Sequence, residues 1–259
     1  MARYEHDVMN AVGLRGTVTI AELASLLDVS EQTIRRVVRP MVERGDVAKV
    51  HGAVVANRQS GAGAAAAEAP FLTRMNINQR AKLSIAAEVA TIIADGDSIA
   101  LDSGSTTGCI AQALRQHRGL TVVTNSSFIA TSLATIPGNR VHMAGVELRN
   151  HDGASFDRAA FAVVESMKVR YAILSTSAVD RRRGFMVHEH AEAEMSATMA
   201  GIADVRIVAV DSTKFGGTGL AALAPLRGGD HVVTDATPPR GYVAVLRPAT
   251  VHVARQPGT

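Results

Sequence analysis

The strongest constraint on this chain is a rhythm that begins after Pro70, where short apolar runs alternate with longer amphipathic segments. The runs are Ser98–Asp102, Leu120–Asn125, Val141–Gly145, Tyr171–Ser177, Arg206–Asp211 and His231–Asp235, and several are β-branched. Between most of them lie Ala-rich stretches with helical spacing: Lys82–Ala94, Gly108–Gln116, Phe128–Thr135, Ala159–Lys168 and Glu192–Ala203. This alternation predicts an α/β domain with a mostly parallel sheet covered by helices. Ligands of such sheets sit beyond the carboxyl ends of the strands. Here those ends read Asp102-Ser-Gly-Ser-Thr-Thr, Thr124-Asn-Ser-Ser, Ala144-Gly and Asp211-Ser-Thr-Lys.

Composition agrees. Hydrophobic residues make up 47% of the chain, but aromatics only 3% and Trp is absent, so Ala, Val, Ile and Leu must build the core. A length of 259 residues suits one small and one medium domain. A net charge of +3 permits nucleic-acid binding without arguing for it. The single cysteine, Cys109, excludes a disulfide framework within one chain and fits a reducing compartment. No run of about 18 apolar residues offers a membrane span, and the charged N-terminus lacks a signal-peptide core. The expectation is a cytoplasmic protein.

The segment before the rhythm has another character. Residues 56–70, ANRQSGAGAAAAEAP, are small-residue sequence bounded by glycines and a proline, which predicts a linker. The expected organisation is a first domain at 1–57, a linker at 58–70 and a second domain at 71–259. Thr19-Ile-Ala-Glu22 is a capping-box pattern that starts a helix through Leu27. Asp28-Val29 turns the chain, and Ser30 caps a second helix from Glu31 to about Arg44, with Ile34, Val37, Val38 and Met41 inward. Two short helices so joined form a helix-turn-helix. The outer face carries Gln32, Thr33, Arg35, Arg36 and Arg39. Gln32, Thr33 and Arg36 are candidate base readers, while Arg35 and Arg39 suit phosphates. The helix start at Ser30 offers backbone N–H groups to a phosphate. Residues 45–55 then predict a β-hairpin wing bearing Lys49 and His51. Arg-rich helix faces are often only solvated, but cap, turn, apolar face, basic face and wing coincide here.

The stretch SLLDVSEQTIRRVVRPMVERGDVAKVHGAVV resembles the helix-turn-helix of the DeoR-type bacterial repressors. Val37 stands where that family usually has Asp, and Ala53 replaces its second wing glycine. Pro70-Phe71-x-x-Arg74, Asp102-Ser-Gly-Ser-Thr-Thr107, Val123-Thr-Asn-Ser126 and Asp211-Ser-Thr-Lys-Phe-Gly216 resemble four further family blocks. The resemblance implies a winged helix-turn-helix joined to a sensor domain related in fold to ribose-5-phosphate isomerase. It implies a repressor of a sugar or related catabolic operon, with operator DNA and a phosphorylated sugar or polyol effector as partners. Because one recognition helix reads only a half-site, a dimer or tetramer is expected.

Residue chemistry points the same way. Gly104 permits a tight turn, Ser103, Ser105, Thr106 and Thr107 supply hydroxyls, and a helix starting near Gly108 offers its N-terminus, so together they make an anion cradle. Lys214 can add a charge-assisted contact. Asn125 can bond a sugar hydroxyl, and Asp102 can do the same or order the loop. A polar strand–helix turn with no ligand is the plainer alternative. Ser175–Ala178, Ser196 and Asp157 depart from the family's pattern around the crevice, which predicts an altered ligand or a weak response. Arg149 and Arg181–Arg183 can compensate, or are simply solvated. His188 and His190 with Glu189 and Glu192 make a weak metal pattern, so no metal, cofactor or catalytic residue is expected. A sugar-phosphate isomerase is the rival reading, with Asp102, Asp180 and Lys214 as candidate groups, yet an isomerase has no use for the N-terminal module.

Overall fold

The computed structural model describes residues 4, 5, 7, 8, 11, 12, 17–27, 29–43, 47–50, 53–56 and 70–255, with backbone only at 17, 48–50, 53, 55 and 56. The chain divides into two compact units, residues 1–77 and 78–259. The expected linker, apart from Pro70, lies outside the described residues.

In the first unit, β1 (Thr17–Thr19) leads into α1 (Ile20–Leu26) and α2 (Glu31–Glu43). The expected capping box is present: Glu22 N donates to Thr19 Oγ1 at 3.1 Å, and Thr19 N donates to a Glu22 carboxylate oxygen at 2.7 Å. These bonds satisfy two N–H groups that the first turn leaves without partners. The strands β2 (Val47–Val50) and β3 (Ala53–Ala56) pair antiparallel as the wing, and β1 adds a third strand beside β3 that sequence reading missed. The apolar stripes meet as expected: Leu23, Ile34, Val37, Val38 and Met41 share one core with Val8, Val18, Val47 and Val54. Val37 is thus a packing residue. The unit ends with α3 (Phe71–Asn76), where the Arg74 guanidinium lies 5.8 Å from the Phe71 ring centroid.

In the second unit, α4 (Gln79–Ile92) precedes β4 (Ser98–Leu101), α5 (Ser105–Ala113), β5 (Thr121–Thr124), α6 (Ser127–Ala134) and β6 (Arg140–Met143). Then follow α7 (Arg158–Glu165), β7 (Val169–Ser175), β8 (Ala178–Asp180), β9 (Gly184–Val187), α8 (His190–Gly201) and β10 (Ala203–Ala209). The chain closes with β11 (Ala221–Ala222), β12 (His231–Thr234), α9 (Val243–Leu246) and β13 (Thr250–Val253). Seven strands form one sheet in the order β13-β12-β10-β7-β4-β5-β6, and every pairing in it is parallel. Ile99, Ala100, Leu101, Ala172 and Ile173 are fully buried at its centre. Strands buried on both faces lose the polar alternation of a half-exposed sheet.

The order reverses between β4 and β7. From β4 the chain steps through β5 to the β6 edge, then returns across β4 to β7 and proceeds to β13. That reversal opens a crevice at the carboxyl ends of β4 and β7. Each expected strand run overlaps an observed strand, although β6, β7 and β10 begin one to three residues earlier than expected. The edge strand β13 and the small β8–β9–β11 sheet were missed, and the segment Arg181–Arg183 is the turn between β8 and β9.

Candidate functional sites

On α2 the cationic side chains are outward, as its apolar stripe dictates. Gln32, Arg35, Arg36 and Arg39 are exposed, and Thr33 is half-buried. Ser30 Oγ accepts from Thr33 N at 3.2 Å and lies 2.9 Å from Thr33 Oγ1, so both hydroxyls serve the helix start. Arg35 reaches Glu31 at 3.0 Å and Arg39 reaches Glu43 at 3.8 Å, one turn along the same helix. Exposed pairs of this kind contribute only a few tenths of a kcal/mol, so an incoming phosphate can replace either carboxylate at little cost. Gln32 and Arg36 are one turn apart on one face. Pro40 lies inside α2 and brings no N–H to the Arg36 carbonyl. The Lys49 backbone is in β2, opposite Val54, but its side chain lies outside the described residues, as does all of His51.

The second site is at the crevice. Gly104 is the N-cap of α5, which begins at Ser105 rather than near Gly108 as expected. The Ser105-Thr-Thr run therefore forms the first helical turn, with its N–H groups at the strand end. Asp102, behind the loop, accepts from Ser175 N at 2.6 Å, Gly104 N at 3.1 Å and Thr107 Oγ1 at 2.7 Å. Ser175 Oγ adds contacts of 3.1 and 3.0 Å to its two oxygens. Burial pushes the Asp102 carboxyl up from its ordinary value, against the pull of these donors. Asp102 thus takes the loop-ordering role, one of the two expected for it. A Cβ on Gly104 would lie 1.8 Å from Ser175 Oγ, so any side chain at 104 would push Ser175 away from Asp102.

Helix α4 brings in a residue that sequence reading missed. Lys82 is only 3% exposed, and its ammonium donates to Ser105 Oγ at 2.9 Å. One turn earlier, Asn78 Nδ2 donates to Thr213 Oγ1 at 2.9 Å and to Asp211 Oδ1 at 3.3 Å. A single turn of α4 therefore joins the loop after β4 to the loop after β10, which carries Lys214. Lys214 itself is half-buried. The signal was a lysine on the apolar stripe of Ile85, Ala86 and Val89, all of which are buried.

Asn125, fully buried after β5, donates through Nδ2 to the Ser155 carbonyl at 3.0 Å. Among the described residues its Oδ1 has no hydrogen-bond partner, and neither has Asp211 Oδ2. Ser103 and Thr106 are buried in the loop. Of the departures from the family pattern, Ser175 reinforces Asp102 and Ser196 is buried in α8. Asp157 caps α7 by accepting from Ala160 N at 2.7 Å, and it also accepts from Val146 N and Glu147 N at 2.9 Å each. Those backbone donors lower its pKa to about 2.

Two families match the chain: the DeoR-like helix-turn-helix domain over residues 7–60 and the DeoR C terminal sensor domain over residues 77–236. The chain is 28% identical over 249 residues to the HTH-type transcriptional repressor CsqR of Escherichia coli (strain K12), covering 96% of this chain and 93% of that protein. It is 27% identical over 241 residues to the Glycerol-3-phosphate regulon repressor of the same strain, covering 93% of each. Among solved structures, ribose 5-phosphate isomerase A from Methanocaldococcus jannaschii aligns with 15% identity and a TM-score of 0.40, covering 53% of this chain and 55% of that one.

Proposed function

The chain belongs to the DeoR family of DNA-binding transcriptional regulators, and on that premise we propose that it represses a sugar or related carbon catabolic operon under control of a phosphorylated small-molecule effector. Relatives named as repressors of a glycerol-3-phosphate regulon and, putatively in the name itself, of an aga operon support this reading over an isomerase. In it, α2 enters the major groove. Gln32, Thr33 and Arg36 read base edges, and Arg35, Arg39, Lys49, His51 and the Ser30 helix start hold phosphates. Two copies or a multiple of two are needed for a palindromic operator.

The effector's phosphate sits at Ser103–Thr107, on the first-turn N–H groups and hydroxyls, with Lys82 and Lys214 as cations. The observation that carries this assignment is the turn of α4 that places Lys82 on Ser105 and Asn78 on the Lys214 loop. Asn125 Oδ1 accepts a hydroxyl of the ligand's carbon chain, and Asp102 holds the loop in shape. A thermal-shift series with inorganic phosphate, glycerol 3-phosphate and hexose phosphates tests the site, since a ligand of the native state raises Tm. The expected result is a rise that Lys82→Met and Lys214→Ala both diminish. A rise equal in wild type and both variants would refute the site.

A further inference from the structure

Arg149 was a candidate compensating cation, but its guanidinium is already engaged. It lies in the loop that leaves edge strand β6, stacks 3.9 Å from the Phe156 ring centroid, and pairs with Asp152 of the same loop. It also donates to Glu189 at 2.5 Å, and Glu192 stands 4.0 Å away. Glu189 and Glu192 form the capping box of α8, which follows β7 and the β8–β9 hairpin. In the sheet, β5 and β4 separate β6 from β7. Three strand spacings amount to about 14 Å. The Arg149–Glu189 contact therefore joins a loop from one half of the sheet to a helix from the other half, past the ends of the strands that present Asn125 and Asp102. The inner limb of the loop is anchored, since Ser127 N donates to the Gly153 carbonyl at 3.0 Å and Ser155 N to the Asn125 carbonyl at 2.8 Å, whereas Val146 is 87% and Leu148 47% exposed on the outer limb. Arg149 retains 22% side-chain exposure and Glu189 44%, so water and salt reach the contact.

We infer that Arg149 is a strap: its bond to Glu189 holds the outer limb of the loop, residues 146–152, closed at the crevice, and that bond must open for a ligand to enter or leave. The ligand part of this inference rests on the reading of the crevice as the effector site. An ion pair that is partly solvated suits the role, because it holds geometry yet opens readily. Arg149 acts here as a positioning residue for that loop.

Hydrogen exchange on the full chain without ligand, comparing wild type with Glu189→Gln, tests the strap. Gln keeps an acceptor for the α8 cap and leaves the Arg149–Asp152 pair intact, but removes the charge that meets Arg149. Amides of residues 146–153 should exchange roughly fivefold faster, while those in the middle of α8 keep their rates. Unchanged exchange in 146–153, or equal acceleration throughout α8, would overturn the strap. With inorganic phosphate as probe, association and dissociation should both quicken in Glu189→Gln. Faster exchange with no phosphate binding to either protein would support the closure of the loop and refute the effector reading instead.

Discussion

The recognition helix and the sensor crevice use polar residues in opposite ways. On α2 the candidate contacts stand in water, held by single-turn ion pairs of 3.0 and 3.8 Å on exposed side chains. At the crevice Asp102, Ser103, Ser105, Thr106, Thr107, Asn125 and Lys82 are all buried, and most already bond to one another. On the first surface the partners that Arg35 and Arg39 have in place are exposed carboxylates one turn away, which the proposed DNA contacts would replace. The second is assembled before any ligand comes, so much of its polar chemistry maintains shape. A substitution on α2 should therefore alter binding with little effect on stability, whereas one at the crevice should affect both.

The largest expected effect tests the buried side. Lys82→Met removes a buried cation from the cradle, and loss of one charge-assisted contact is expected to weaken phosphate-ester binding by about 10- to 100-fold. Calorimetric titration with the best sugar phosphate from the thermal-shift series measures it. An unchanged affinity would make Lys82 a packing residue and erase the contrast. Next comes the exposed side: Arg36→Ala should reduce the preference for operator over random DNA by about 1–3 kcal/mol, with Tm unchanged. Arg39→Ala should instead weaken binding to all sequences and lower the salt slope by about one. Equal losses of specificity in the two variants would remove that division of labour.

Smaller effects sharpen the contrast further. Thr19→Ala, which breaks the capping box, should cost about 1 kcal/mol in chemical denaturation of the first unit. No change would mean that the box is redundant with packing. Asp157→Asn should lower Tm at neutral pH by a small amount. The carboxyl's pKa in the folded chain is about 2, below the ordinary 3.8. The stability it contributes is thus complete above the ordinary value and is lost as pH falls toward 2. The gap between wild type and variant should narrow through that window, and a difference as large at pH 2 as at neutral pH would contradict this assignment.

Much of this contrast was legible in the sequence. The α1–α2 caps and apolar stripes give the first unit its core, because helical periodicity and Ser/Thr caps are local signals. The central strands were equally plain, being short apolar runs buried on both faces. Three of the hidden features show why the rest was not. Edge strand β13, Thr250-Val-His-Val, is short and half-polar, and the sheet alone makes it a strand. The start of α5 at Ser105 was obscured because hydroxyl residues read as a loop. In the fold, Thr107 Oγ1 bonds Asp102 and the Gly104 carbonyl at 2.7 Å each, which draws the run into the first turn. Lys82 escaped notice because a lysine in an amphipathic segment reads as surface, and only the arrival of the β4 loop over it makes it buried. The bonds that sequence missed, Lys82 to Ser105 and Ser175 to Asp102, are long-range, whereas the helix caps it anticipated are local.

The central claim is that an exposed reader and a pre-assembled sensor occupy one chain. Fluorescence anisotropy of the purified protein, with its own promoter fragment and a random duplex at about 150 mM salt, addresses it most directly. Specific sites in general exceed random ones by about 10³-fold or more at such salt. The account predicts such a preference, a change in promoter affinity on adding the phosphorylated effector, and a shift of that response to about 10- to 100-fold higher effector concentration, with the DNA preference kept, in Lys82→Met. Equal affinity for both duplexes, or an effector response at the same concentration in Lys82→Met as in wild type, would contradict it.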